Sequence, residues 1–215
     1  GELGPYADQE GVKLGNIRQK ELEHAAGLLG CHSVTCMDYK DGTLASQSPG
    51  NIEDKLIQLF IEFKPDVVMT FEPGGITNHP DHVKLSLAAT FAFQTYAKLR
   101  DRENPSDPQP PKFYYACMPE SVAEYLKKNK VIPTESYGKP WRGIADKNVS
   151  NVIDIKRFSA VKKKALLAHV SQSGDVQRFL SFSTNPIFRQ EYFMLRMIGT
   201  KEAFMGKNDI VSDRI

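Results

Sequence analysis

The stretch Asp66-Val-Val-Met-Thr-Phe71 constrains the fold more than any other. Val67, Val68 and Met69 are consecutive and apolar, as in a strand buried on both faces of a sheet covered by helices. A helical pattern precedes it, carrying Leu56, Leu59, Phe60 and Phe63, with Asn51 as the expected cap, Asp54 in the first turn and Pro65 as the stop. A second, largely buried helix follows from Val83 to about Arg100, with Leu85, Leu87, Ala88, Phe91 and Phe93. Strands separated by amphipathic helices imply parallel βαβ units.

The flanking segments extend the pattern. Val12 to Leu29 reads as a helix capped by Gly30, with Val12, Ile17, Leu22, Ala25, Ala26 and Leu29 inward and Arg18, Lys20, Glu21 and Glu23 mostly outward. Ser33–Met37, Lys112–Cys117 and Asn151–Ile155 read as strands, and Pro119–Lys128 and Lys156–His169 as helices. Asp101–Pro111, rich in proline and charge, is a surface loop. Val131–Ser150 has a weak polar pattern whose bulky residues are Tyr137, Pro140 and Trp141, and no element is placed beyond Ser183. The expectation is one α/β domain over residues 1–215, Rossmann-like, with a mostly parallel sheet and helices on both faces.

Composition sets the function classes. With 215 residues and 40% hydrophobic content, the chain can bury a core of its own. Net charge is +2 with the basic residues dispersed, and Lys162-Lys163-Lys164 falls inside a helical pattern, so it reads as a solvated face and no nucleic-acid partner is expected. The three cysteines, Cys31, Cys36 and Cys117, lack metal spacing and read as small core residues in a reducing, cytoplasmic setting. The longest apolar run, Leu85–Phe93, is interrupted by Ser86 and Thr90 and is too short for a transmembrane segment. The oligomeric state is open.

Glu72-Pro-Gly-Gly-Ile-Thr-Asn-His-Pro-Asp-His82 joins the buried strand to the long helix. An open α/β sheet builds its active sites at the carboxyl ends of its strands, which is where this loop falls. Pro80 suits a first helical turn, and His79 and His82, three apart on a helix, can address one point. Imidazole is a favoured zinc ligand, and a neighbouring carboxylate such as Asp81 can orient it. The plain alternative makes Asp81 a helix cap and the histidines ordinary loop-edge residues. A catalytic zinc commonly takes three protein ligands, and this cluster offers at most two. His24 in a helix and His32 opening a strand are poor candidates for the others, and His169 would arrive only through tertiary packing.

Gly1-Glu-Leu-Gly4, Arg18-Gln-Lys-Glu-Leu22, Asp38-Tyr-Lys-Asp41, Lys64-Pro-Asp-Val-Val68, Asn78-His-Pro-Asp-His82, Lys112-Phe-Tyr-Tyr115 and Ala168-His-Val-Ser-Gln172 occur in this order. Together they resemble the LmbE-like (PIG-L) family of zinc-dependent N-acetylglucosamine deacetylases. The resemblance implies a Rossmann-like fold that hydrolyses the acetamide of a small N-acetylglucosaminyl substrate with Zn2+ as cofactor. It implies His82 as a zinc ligand and His79, oriented by Asp81, as the group that stabilises the oxyanion or protonates the leaving amine. Arg18 would lie near the substrate or acetate, and Asp41 would bond sugar hydroxyls. Taken alone, Arg18 reads equally as a solvent-facing helix charge and Asp41-Gly42 as a turn. The family's His-Pro-Asp-Asp segment, source of two ligands and the general base, has no counterpart, since the His-Pro pair here is His79-Pro80. The chain is therefore expected to lack the first βα unit and to be catalytically incomplete as it stands. The alternative is a truncated, non-catalytic sugar-binding relative. A nucleotide-binding domain is disfavoured because no glycine-rich phosphate fingerprint is present.

Overall fold

The computed structural model describes residues 14–203. In chain order the helices and strands are α1 (Leu14–Leu29), α2 (Asn51–Phe63), β1 (Val67–Phe71), α3 (Gly75–Asn78), α4 (Pro80–Glu103), β2 (Lys112–Ala116), α5 (Glu120–Lys128), β3 (Glu135–Ser136), β4 (Lys139–Pro140), β5 (Asn151–Asp154), α6 (Ser159–Leu167), α7 (Ser173–Leu180), β6 (Gln190–Ile198) and β7 (Lys201–Glu202). They fall into two compact units. One contains residues up to Tyr39 together with Asp154–Glu191, and the other Lys40–Ile153 together with the chain from Tyr192. Gly1-Glu-Leu-Gly4 and the start of the first expected helix lie outside the described residues.

In the second unit, the strands run in the order β1-β2-β6-β5, with β7 paired to β6. β1 and β2 are parallel, Val67 opposite Lys112 and Phe71 opposite Ala116, as the βαβ pattern requires. β6 returns antiparallel to β2, so the α/β class holds while the sheet is mixed. The core lies where β1 and β2 meet α2 and α4: Val68, Phe113, Tyr115 and Met194 pack with Ala89, Phe93, Tyr96 and Ala97, and Leu56 and Phe60 of α2 close over them. Phe93 and Phe113, both fully buried, stack at 4.8 Å between centroids. Gly50, rather than Asn51, caps α2. Its φ of 89° suits glycine, and its N–H donates to the Glu53 carboxylate at 3.1 Å. The same carboxylate takes Lys84 of α4 at 2.7 Å, fixing α2 against α4.

In the first unit, α1 packs on α6 through Ala25, Ala165 and Ala168. The buried face of α1 is the expected one only in part: Ala25 and Ala26 are buried, but Leu22 and Leu29 are exposed and Glu21 is buried. The Ser171 amide and hydroxyl both donate to the Glu21 carboxylate, at 2.7 and 2.6 Å, and a paired buried carboxylate is tolerated where an unpaired one is not. No strand forms at Ser33–Met37. Val34 and Cys36 point to solvent and no described strand pairs with them, so the sequence propensity has nothing to hold it. Cys31 is likewise exposed, and of the three cysteines Cys117 alone is a core residue. None of the described helices is long and apolar enough to cross a membrane.

Candidate active site

The loop leaving β1 is built around a buried carboxylate. Glu72, 6% exposed, accepts from the Gly74 and Ile76 amides at 2.5 and 2.7 Å, folding the chain back on itself directly after the strand. Gly75 (φ 69°) must be glycine twice over: its conformation is left-handed, and a Cβ there would lie 2.8 Å from Cβ of His82. Ile76 and Asn78 also hold positive φ, at 61° and 60°, which is a strained state for a β-branched residue and one that clusters at functional sites. Burial, with the charge of Glu72 adding to it, pushes the Cys117 thiol up to about 12, so this cysteine stays protonated and is no nucleophile.

That turn delivers His79 in extended conformation as the N-cap of α4, with Pro80 at the first helical position. The imidazole itself caps the helix: His79 Nδ1 accepts from the Asp81 amide at 3.1 Å. In the neutral ring the proton therefore sits on Nε2, which is a donor 3.9 Å from Asp41 Oδ1. His82, one turn later, is fixed the other way. Its Nδ1 lies 3.1 Å from the Gly75 carbonyl, so Nδ1 carries the proton and Nε2 keeps its lone pair. A ring held by a backbone carbonyl at one nitrogen and free at the other is the arrangement of a metal-binding histidine. Burial lowers the pKa of His82, opposed by the Gly75 bond, which favours the neutral, ligating form. The rings form a column: Phe71 on His82 at 4.1 Å and 7°, His82 on His79 at 4.8 Å and 27°, then Tyr137 edge-on to His79 at 4.8 Å and 69°.

Asp81 does neither thing expected of its side chain. It is 7% exposed, and its two oxygens accept from the Gly42 amide at 2.7 Å and the Leu44 amide at 3.0 Å. The carboxylate thus pins the Asp41–Leu44 turn onto α4 and meets His79 through its own backbone amide. Asp41, at the head of that turn, places Oδ1 3.9 Å from His79 Nε2 and is 60% exposed at the rim. We expect Asp81→Asn to leave one of the two amides unpaired and to lower unfolding stability by about 1–3 kcal/mol. Denaturant titration and hydrogen exchange at Gly42 and Leu44 check this, and undiminished protection of both amides contradicts it.

The structure thus gathers Asp41, His79, Asp81 and His82 in one unit. Arg18 belongs to the other, where it lies half-buried on α1. Glu72, Asn78 and Tyr137 had no assigned role in the sequence. Glu72 is signalled by an acid directly after a buried strand and before Pro-Gly-Gly; nothing local marks Tyr137. Among the described residues no group of three His, Cys, Asp or Glu could hold a metal. The donor set described here therefore fits zinc at one position, His82.

Fold and site together define a Rossmann-like α/β protein with an imidazole pair at the carboxyl end of a sheet strand. Residues 1–93 match the family model PIG-L: GlcNAc-PI de-N-acetylase. It is 25% identical over 215 residues to the 1D-myo-inositol 2-acetamido-2-deoxy-alpha-D-glucopyranoside deacetylase of Rhodococcus erythropolis, a match that covers 86% of this chain and 72% of the relative. It is 34% identical over 101 residues to the probable N-acetyl-alpha-D-glucosaminyl L-malate deacetylase 2 of Bacillus anthracis, covering 44% and 43%. The crystal structure of a conserved protein from Thermus thermophilus shares the fold, with a TM-score of 0.54 and 21% identity over 89% of this chain and 77% of that one.

Proposed function

We propose that this protein hydrolyses the acetamide of a small N-acetylglucosaminyl compound, releasing acetate and the free amine. The observation that carries the reading is the opposed fixing of two neighbouring imidazoles. His82 offers a lone pair and His79 offers a proton, at the end of one strand. Amide hydrolysis needs both. Zinc, bound through His82 Nε2 together with other ligands, would polarise the carbonyl and lower the pKa of its water. His79 Nε2–H donates to the oxygen that becomes negative as the carbonyl carbon turns tetrahedral. When the C–N bond breaks, the amine takes up the proton that the attacking water gives up, while His79, neutral with its Nδ1 held by the Asp81 amide, stays a hydrogen-bond donor through Nε2–H. Asp81 holds the Asp41 turn, and the exposed Asp41 carboxylate accepts from sugar hydroxyls at the rim.

The two relatives are named as deacetylases of N-acetylglucosaminyl compounds, which supports this substrate class. The test is a panel of N-acetylglucosaminyl conjugates with inositol, malate and chitooligosaccharide aglycones, assayed for new primary amine in the presence of zinc. Amine release from at least one is expected. A folded, zinc-supplied full-length protein that releases none contradicts the reading and favours a sugar-binding relative without turnover.

A further inference from the structure

The hairpin formed by β3 and β4 is used by nothing in the chemistry above. Glu135 pairs with Pro140 and Ser136 with Lys139, leaving Tyr137 and Gly138 as a two-residue tip with φ of 52° and 70°. Tips with positive φ at both positions favour Asn-Gly or Gly-Gly, so a tyrosine at the first is held against its own preference. Its ring gains little burial in exchange, since Tyr137 is 58% exposed. The hairpin is nonetheless tied down. Asn78 Nδ2 donates toward the carbonyls of Ser136, Lys139 and Pro140, at 3.4, 3.4 and 3.2 Å. Asn78 itself sits at φ 60° and is the residue immediately before His79. A strained, exposed aromatic is thus tied, through the side-chain amide of the preceding residue, beside His79, its ring 4.8 Å from the imidazole.

We propose that Tyr137 is a specificity-determining residue that touches the substrate: its ring is the wall on which the apolar face of the pyranose lies. A pyranose has a face of C–H groups and an equator of hydroxyls. The electron-rich face of an aromatic ring accepts the former, and Asp41, across His79, takes the latter. Between them the acetamide is presented to His79 Nε2–H. This deepens the deacetylase reading and rests on it for the kind of sugar bound.

The test is steady-state kinetics of the zinc-loaded full-length protein and its Tyr137→Ala, Tyr137→Leu, Tyr137→Phe and Tyr137→Trp variants on the best conjugate of the panel. The alanine and leucine variants are expected to raise KM about tenfold with kcat nearly unchanged, and the aromatic variants to keep KM within about threefold. Leucine fills the tip without a π face, so a collapsed hairpin is told apart from a missing platform. An unchanged KM in Tyr137→Ala overturns the proposal. So does a fall in kcat alone, which would make the ring a mere support for His79. If the wild type turns over no conjugate, saturation-transfer NMR with methyl N-acetylglucosaminide decides. Binding lost in Tyr137→Ala upholds the platform although the reaction reading has failed, and no binding to the wild type overturns it.

Discussion

Replacing His79 with alanine is expected to lower kcat about a hundred- to a thousandfold while zinc content stays at the wild-type level. That range is the cost of removing one preorganised donor to a developing oxyanion. The reason lies in how the ring is held. With Nδ1 occupied by the Asp81 amide, Nε2–H is the donor, and the imidazole has one orientation in which to offer it. His79→Gln separates the two jobs, because the amide can still donate at the rim but gives up the cap. Partial recovery of kcat in that variant, with stability reduced by about 1 kcal/mol for the lost cap, is the expected pattern. Metal analysis, kinetics and thermal unfolding on the same preparations check it. Wild-type turnover in His79→Ala removes the residue from the chemistry.

His82→Ala is expected to lower both zinc content and turnover, the latter more than about a hundredfold, the upper end of what losing a mere supporting partner of a metal ligand costs. Its other contacts sharpen the comparison. Alanine also removes the stack on Phe71 and the bond to Gly75, so a general loosening of the loop is a competing explanation. Phe71→Leu removes the stack and leaves the imidazole in place. Zinc retained in Phe71→Leu and lost in His82→Ala assigns the metal to the lone pair on Nε2. Zinc retained at wild-type level in His82→Ala contradicts the ligand assignment.

What could be read in advance was local. Pro80 at the first turn, two imidazoles on one helical face and an apolar strand before them are features of the 17 consecutive residues 66–82, and the structure forms the strand and helix there, although Met69, Leu87 and Phe91, expected inside, are exposed. Partnerships across the chain were hidden. Asp81 bonds to amides 39 and 37 residues earlier, so its side chain read as an orienting partner of His79 or, alternatively, a cap for its own helix. Glu21 meets Ser171 across 150 residues, and an acid in an amphipathic helix reads as solvent-facing until such a partner is known. β6 escaped because a return strand antiparallel to its neighbour has no helix-strand alternation to announce it, only the apolar run Phe193-Met-Leu195. Tyr137 reaches His79 through Asn78, whose three acceptors lie about sixty residues downstream, 58 to 62 away.

The most direct measurement is the joint yield of acetate and primary amine from one N-acetylglucosaminyl conjugate incubated with the full-length, zinc-loaded protein. Hydrolysis of the acetamide yields the two in equal amounts, both abolished by a chelator and both strongly reduced in His79→Ala. Neither product appearing, or amine appearing without acetate, would contradict deacetylation.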